Sequence, residues 1–212
     1  MSKRKGTIDN IDLEANAESL NRNDPIQFEN LTKKFGSFKA VNNLNLSIRE
    51  GEVFTFLGHN GAGKTTTIYM LTGMLKASSG DAYVHGYSLS KHTEIIQKNM
   101  GLCQQFDVLF DFLSVKEHLM LVCEMKNISR DKIEQTIKDS MEVVMLTEHA
   151  DKFVFELSGG MKRKLSLAMA IVTKPKLIIL DEPTSGLDVE SRKQIWELIR
   201  KIKVGRSVIM SS

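Results

Sequence analysis

The run Val53-Phe54-Thr55-Phe56-Leu57 passes without a break into Gly58-His59-Asn60-Gly61-Ala62-Gly63-Lys64-Thr65-Thr66, and this junction constrains the chain more than any other feature. A continuous apolar pentapeptide reads as a buried strand. Beyond the glycines, Ile68, Leu71 and Leu75 recur at helical spacing, which predicts a helix from Lys64 to about Lys76. Strand, glycine-rich turn and helix in that order, spaced G-x-x-x-x-G-K-T, make a cradle for a nucleotide polyphosphate. Glycines let successive backbone N–H groups converge on an anion, and the helix N-terminus adds partial positive charge. Gly58, Asn60, Gly61, Ala62, Gly63, Lys64, Thr65 and Thr66 are therefore the candidate nucleotide-binding residues. Lys64 supplies a point charge for the β- and γ-phosphates, and the Thr65 hydroxyl a ligand for Mg²⁺.

The rest of the chain alternates between strand-like and helical patterns. Residues 1–24 are polar with little periodicity and read as a flexible leader. Ile26 to Leu31 and Val41 to Ile48 alternate as strands, Ala82 to His85 follows Gly80, and Met100 to Cys103 is a further short run. Ser114-Val115-Lys116-Glu117 is a capping box that opens a helix through about Lys126. After Ser129, the stripe Ile133, Ile137, Met141, Val144 and Met145 predicts a second helix. A third is expected from Gly159-Gly160 to Val172, then the strand Lys176 to Leu180. A last helix carries Ile195, Leu198, Ile199 and Ile202, before a strand from Arg206 to Met210. Strand-to-helix alternation argues for an α/β fold with a largely parallel sheet and flanking helices. The helical block at about 107–165 interrupts it as an inserted subdomain.

A matching acid stands at the end of the buried strand Leu177-Ile178-Ile179-Leu180. Asp181 falls at the carboxyl edge of a sheet, where ligands of open α/β folds bind, and is a candidate to hold Mg²⁺. Glu182, one residue on, is placed to polarise a water for in-line attack on a γ-phosphate.

With these residues in hand, Leu157-Ser158-Gly159-Gly160-Met161-Lys162-Arg163-Lys164 resembles the signature sequence of ABC ATPases, and it stands between the phosphate loop and the Asp181 strand in that family's order. The resemblance covers residues from about 25 to 212 and implies a P-loop NTPase core, an N-terminal antiparallel β-subdomain and the inserted α-helical subdomain. It implies that Ser158, Gly159 and Gly160 cap the γ-phosphate of ATP held by an opposing protomer, so that two nucleotide-binding domains pair head to tail. Gln105 takes the place of the glutamine that touches Mg²⁺ and the attacking water, and Asp188, in Ser185-Gly186-Leu187-Asp188, belongs to a loop that crosses the dimer. Phe35 and Val41 fall where the nucleotide is contacted, Phe35 as the aromatic that stacks on adenine. Within the family the chain is most similar to subfamily A, the eukaryotic lipid exporters. The pointers are His59 in the phosphate loop, Phe106 to Asp111 after Gln105, and Ser158 to Leu167.

The resemblance thus implies an ATPase with ATP and Mg²⁺ as cofactors, transmembrane domains as partners and a place on the cytoplasmic face of a membrane. Two departures stand out. Gln104 occupies a position where that subfamily usually has proline. The family's switch histidine would follow Ser212, and none of His59, His85, His92, His118 or His149 replaces it by position, which implies a C-terminally truncated domain. A nucleotide-binding fragment without turnover and a soluble ABC ATPase stay open as alternatives. Lys64 and Ser158 lie too close in sequence for the long coiled coil of chromosome-maintenance ATPases.

Bulk properties add exclusions. A net charge of +3 does not argue for a nucleic-acid partner. Cys103 and Cys123 cannot build a disulfide framework and have no companions at zinc spacing, so buried free thiols are expected. No apolar run approaches the ~20 residues of a membrane-spanning helix, and Lys3, Arg4 and Lys5 are not followed by the apolar stretch of a signal peptide.

Overall fold

The computed structural model describes residues 5–7, 24–59 and 61–212. Most of the polar leader, and Asn60 of the phosphate loop, lie outside the described residues. The chain divides into two compact units, Met1–Asn99 with Gly205–Ser212, and Met100–Val204.

In the first unit, alternation builds an antiparallel sheet. Strands β2 (Ile26–Phe35) and β3 (Phe38–Ile48) form a hairpin in the register Ile26↔Ile48, Phe28↔Leu46, Lys33↔Val41 and Phe35↔Phe38. They run longer than the alternating runs predict, because pairing continues through polar residues up to the turn at Gly36. On the other edge of β2, β5 (Ser79–Val84) pairs antiparallel, and β6 (Tyr87–Ser88) pairs with β5. The expected antiparallel β-subdomain is thus present. Parallel pairing holds the second set: β1 (Lys5–Thr7) lies beside β4 (Val53–Leu57), and β4 beside β9 (Ser207–Ser211). Phe28 of β2 meets Phe56 of β4 edge to face, ring centroids 6.4 Å apart. Ile26, Phe28, Leu31 and Ile48 have no solvent exposure, and burying each such side chain is worth about 1.5–3 kcal/mol.

Helix α1 (Lys64–Leu71) follows β4 through the glycine turn. It is shorter than its apolar spacing predicts. Gly73 takes φ +75°, the left-handed conformation that ends helices, and its N–H bonds back to the Met70 carbonyl. Helix α2 (Leu89–Lys98) has no counterpart in the sequence reading; it buries only Leu89 and Ile96 and is distorted at His92.

The second unit begins with β7 (Met100–Cys103), which pairs in parallel with β8 (Leu177–Leu180), Cys103 opposite Leu180. Between them come α3 (Val115–Met125), α4 (Arg130–Val144), two short 3₁₀ turns at 147–149 and 154–156, and α5 (Gly159–Ile171). Helix α6 (Val189–Ile202) follows β8. The capping box of α3 forms as predicted: the Ser114 N–H donates to Glu117 Oε2 at 2.7 Å and the Glu117 N–H to Ser114 Oγ at 3.2 Å. Helix α5 lies against β7 at Gly101, where a Cβ would come within 1.8 Å of the Ala170 carbonyl oxygen. Only glycine permits that approach. Among the described residues no helix is long and apolar enough to cross a membrane, and Cys103 and Cys123 are free and buried.

Candidate functional site: a phosphate loop and an acidic strand end

In the first unit, β4 ends at Leu57 and the chain turns over Gly58 to Gly63 before α1 begins. Gly61 and Gly63 have φ +88° and +87°, left-handed backbone that other residues adopt only under strain. The Ala62 N–H donates to the His59 carbonyl at 3.1 Å, closing the turn. Gly63 caps α1, and its carbonyl accepts from both the Thr67 N–H at 2.8 Å and the Thr67 hydroxyl at 2.9 Å. No acidic residue occupies the first turn of α1, so nothing there opposes an anion at the helix N-terminus. Lys64 is buried and folds back over the loop, its Nζ donating to the carbonyls of Gly58 and, at 3.3 Å, His59. Thr65 is exposed and Thr66 half-buried.

The β2–β3 hairpin abuts this loop. A Cβ on Gly63 would lie 2.3 Å from the Ala40 carbonyl oxygen and 3.3 Å from Val41 Cγ2. Val41 is therefore at the loop's side. Phe35, at the tip of the same hairpin, keeps its ring half exposed beneath Lys33, whose Nζ stands 5.2 Å from the ring centroid. A ring held open in this way suits a stacking platform better than a core position.

In the second unit, parallel register brings the other candidates together. Cys103 and Leu180 end β7 and β8 side by side, and the Asp181 N–H extends the pairing to the Cys103 carbonyl at 2.8 Å. Gln105 and Glu182 consequently face each other, Gln105 Nε2 donating to Glu182 Oε2 at 3.0 Å. Glu182 has φ +43°, an uncommon conformation for a residue with a side chain, and such strain gathers at functional sites. Asp181 is 4% exposed. Ser158 N-caps α5, its Oγ accepting from the Met161 N–H at 3.3 Å, while Gly159 has open space where a Cβ would stand. Asp188 N-caps α6 and accepts from the Ser191 N–H at 2.9 Å and hydroxyl at 2.6 Å, contacts that hold its pKa below the usual carboxylate range. Gly160 lies next to this cap, since its Cβ would come 2.7 Å from Ser191 Oγ.

One residue escaped the sequence reading. Arg163 projects from the buried face of α5, 3% exposed, into the space between the loop after β7 and the loop after β8. Its guanidinium donates to the carbonyls of Gln104 and Gln105 and to Asp107 Oδ1 on one side, and to those of Asp181, Glu182 and Pro183 on the other. The available signal was a charged residue at a core-facing helix position, in register with Ser166, Leu167 and Ala170. Nearby Cys103 is fully enclosed: burial pushes its thiol up to about 12, opposed by Arg163 and assisted by Asp107 and Asp181.

The donors assigned to a metal are the Thr65 hydroxyl, the Asp181 carboxylate and the Gln105 amide oxygen, all hard oxygens without a sulfur or imidazole among them. Among the described residues there is no group of three or more His, Cys, Asp or Glu that could hold a metal ion unaided. Both observations fit Mg²⁺, which uses one or two carboxylates and fills its octahedron with water and substrate phosphate.

Comparison with known proteins places the chain. Residues 41–185 match the family model for the ABC transporter. The chain is 44% identical over 173 residues to Phospholipid-transporting ATPase ABCA3 of Homo sapiens, covering 82% of this chain and 10% of that protein. It is 43% identical over 189 residues to Glucosylceramide transporter ABCA12 of Homo sapiens, 88% of this chain and 7% of that protein. Over 186 residues it is 44% identical to ATP-binding cassette sub-family A member 2 of Rattus norvegicus, 87% of this chain and 8% of that one. The chain therefore spans about a tenth or less of these relatives. The solved "Structure of ATP binding subunit of ABC transporter" superposes with a TM-score of 0.77 at 26% identity, covering 88% of this chain and 78% of that one. These relatives bear out the subfamily A likeness of its motifs; the chain belongs to the ABC transporter family, with the fold of its ATP-binding subunits.

Proposed function

We propose that this chain binds ATP with Mg²⁺ and hydrolyses it as the nucleotide-binding domain of a transporter, and that the transported molecule is a lipid. The observation that carries the reading is the phosphate loop, with Lys64 folded over the Gly58 and His59 carbonyls and an unopposed helix N-terminus behind it. In this reading the loop amides and Lys64 hold the β- and γ-phosphates, and Phe35 and Val41 receive the base. Mg²⁺, held by Thr65, Asp181 and Gln105, would neutralise developing charge on the phosphates. Glu182 accepts the proton of an attacking water, which Gln105 orients through its 3.0 Å contact with the carboxylate. Ser158, Gly159 and Gly160 offer a second anion site at the N-terminus of α5, for ATP on an opposing copy; the open side of Gly159 supports this.

The lipid assignment rests on the relatives, a phospholipid-transporting ATPase and a glucosylceramide transporter. Transmembrane domains are the proposed partners, which would place the chain on the cytoplasmic side of a membrane, and an exposed aromatic patch in the second unit supports the presence of a docking partner. Phe112 is 81% exposed, and Phe112 and Phe153 both pack against Phe155, itself more than half exposed. Contiguous exposed apolar surface marks an interaction site.

Phosphate release by the purified chain with Mg²⁺ and ATP tests the reading, against Glu182→Gln as the blank. Release above that blank is expected, and its absence would sink hydrolysis by this chain. Ser158→Arg should keep nucleotide binding while abolishing ATP-dependent dimers in light scattering; dimers that persist would contradict the second anion site.

A further inference from the structure

We propose that Arg163 is a positioning residue that sets the geometry of Gln105 and Glu182 together, so that the two loops carrying the water-handling groups move as one. The inference rests on the functional reading of those two residues but stands on its own geometry. Five N–H donors in one rigid plane meet six oxygen atoms: at 2.7 and 3.3 Å the carbonyls of Gln104 and Gln105, at 3.0 Å Asp107 Oδ1, at 3.1 Å the carbonyls of Asp181 and Glu182, and at 2.8 Å that of Pro183. Five of the six belong to Gln105, Glu182 or a residue bonded to one of them through the chain on the same loop turn. A lysine, with its donors on a single atom, cannot span both loops in this way.

The arrangement has the marks of a clamp. Asp107 supplies the counter-charge, is itself held by the Ser166 hydroxyl at 2.7 Å, and so ties the far side of the first loop to α5. Ser166 and Arg163 are one turn apart on that helix, so α5 grips the first loop at two points. On the second loop, Glu182 sits at φ +43°, and its carbonyl accepts both from Arg163 and from the Ser185 N–H at 3.1 Å. A main-chain conformation of that kind persists where its surroundings over-determine it. The helix that supplies the clamp begins at Ser158-Gly159-Gly160, so a rigid element connects the second anion site to the water-handling pair.

Arg163→Met, Arg163→Lys and Asp107→Asn test this. Hydrogen exchange on the intact chain should show residues 104–108 and 181–185 losing protection together in Arg163→Met, while 58–66 and α6 keep theirs. In single-turnover cleavage kcat should fall about 100-fold, the scale of a small misplacement of reacting groups, with the KM for ATP within about twofold. Arg163→Lys should restore the melting temperature without restoring kcat, whereas a residue that only stabilises the fold would recover both. Protection lost uniformly over the chain, or in one loop without the other, overturns the proposal, as does unchanged kcat in Arg163→Met. If the unaltered chain shows no cleavage above Glu182→Gln, hydrolysis fails as a reading, and the exchange result alone decides whether Arg163 couples the loops. Should Arg163→Met not fold, Asp107→Asn decides: joint loosening of both segments supports the coupling, and unchanged protection in both refutes it.

Discussion

Gly61 and Gly63 share left-handed backbone, φ +88° and +87°, yet their surroundings differ. A Cβ on Gly61 would meet nothing within 4 Å, whereas one on Gly63 would stand 2.3 Å from the Ala40 carbonyl oxygen. Replacing either by alanine places an L side chain in left-handed backbone, about 1–2 kcal/mol. Only Gly63→Ala adds a collision, and it is with backbone, which has no rotamer to escape into; overpacking of that kind costs about 1–3 kcal/mol. Gly61→Ala should therefore lose about 1–2 kcal/mol, and Gly63→Ala about 2–5 kcal/mol. Urea denaturation followed by far-UV circular dichroism measures both. Nucleotide titration should rank the pair differently. The open side of Gly61 is where the proposed function brings the polyphosphate, so Gly61→Ala should keep most of its stability yet bind Mg-ATP at least about tenfold more weakly, the equivalent of 1.4 kcal/mol or more. Equal destabilisation by the two substitutions would refute the collision argument. Unchanged affinity in Gly61→Ala would refute the approach of phosphate from that side.

Three further outcomes follow from side-chain environments. Asp81 is partly buried, which raises its pKa, but hydrogen bonds from Ser88, Ser90 and the Ala82 N–H outweigh this and leave it lowered. A carboxyl with a depressed folded pKa stabilises above its unfolded pKa and loses that contribution as pH falls through the folded one, so Asp81→Asn should flatten the acid limb of stability against pH; an unaltered limb would contradict the network. Cys103, with its thiol pushed up to about 12 by burial, should resist iodoacetamide at pH 8 until the chain unfolds, whereas labelling of the native chain detected by mass spectrometry would show the site to be open. Gly101→Ala forces α5 away from β7 against the Ala170 carbonyl and should lower Tm by at least about 2–4 °C, the shift that each lost kcal/mol gives a chain of this size.

The legible parts of the fold were those where one residue class repeats without interruption. Val53 to Leu57, Met100 to Cys103 and Leu177 to Leu180 are continuous apolar runs, and they appear as β4, β7 and β8 within a residue of their expected ends. The box at Ser114 and Glu117 was legible because both partners lie within one turn. Helix α2 was not, since only Leu89 and Ile96 are buried and its opening Ser88 and Ser90 turn to Asp81, on another strand. The same distinction divides the site. Gly58 to Thr66 is local, so its spacing announces its chemistry. The contact of Gln105 with Glu182 depends on the register of β7 with β8, which no short stretch encodes. Arg163 was harder still, because most of its partners are main-chain carbonyls, whose residue types carry no information about it.

In the proposed function the phosphate loop of this nucleotide-binding domain holds Mg-ATP through Lys64. Calorimetric titration of Mg-ATP into the chain and into Lys64→Ala, each verified as folded by circular dichroism, tests it most directly. Saturable binding by the unaltered chain and none by Lys64→Ala is the expected result. Retained affinity in a folded Lys64→Ala would contradict the assignment of the loop.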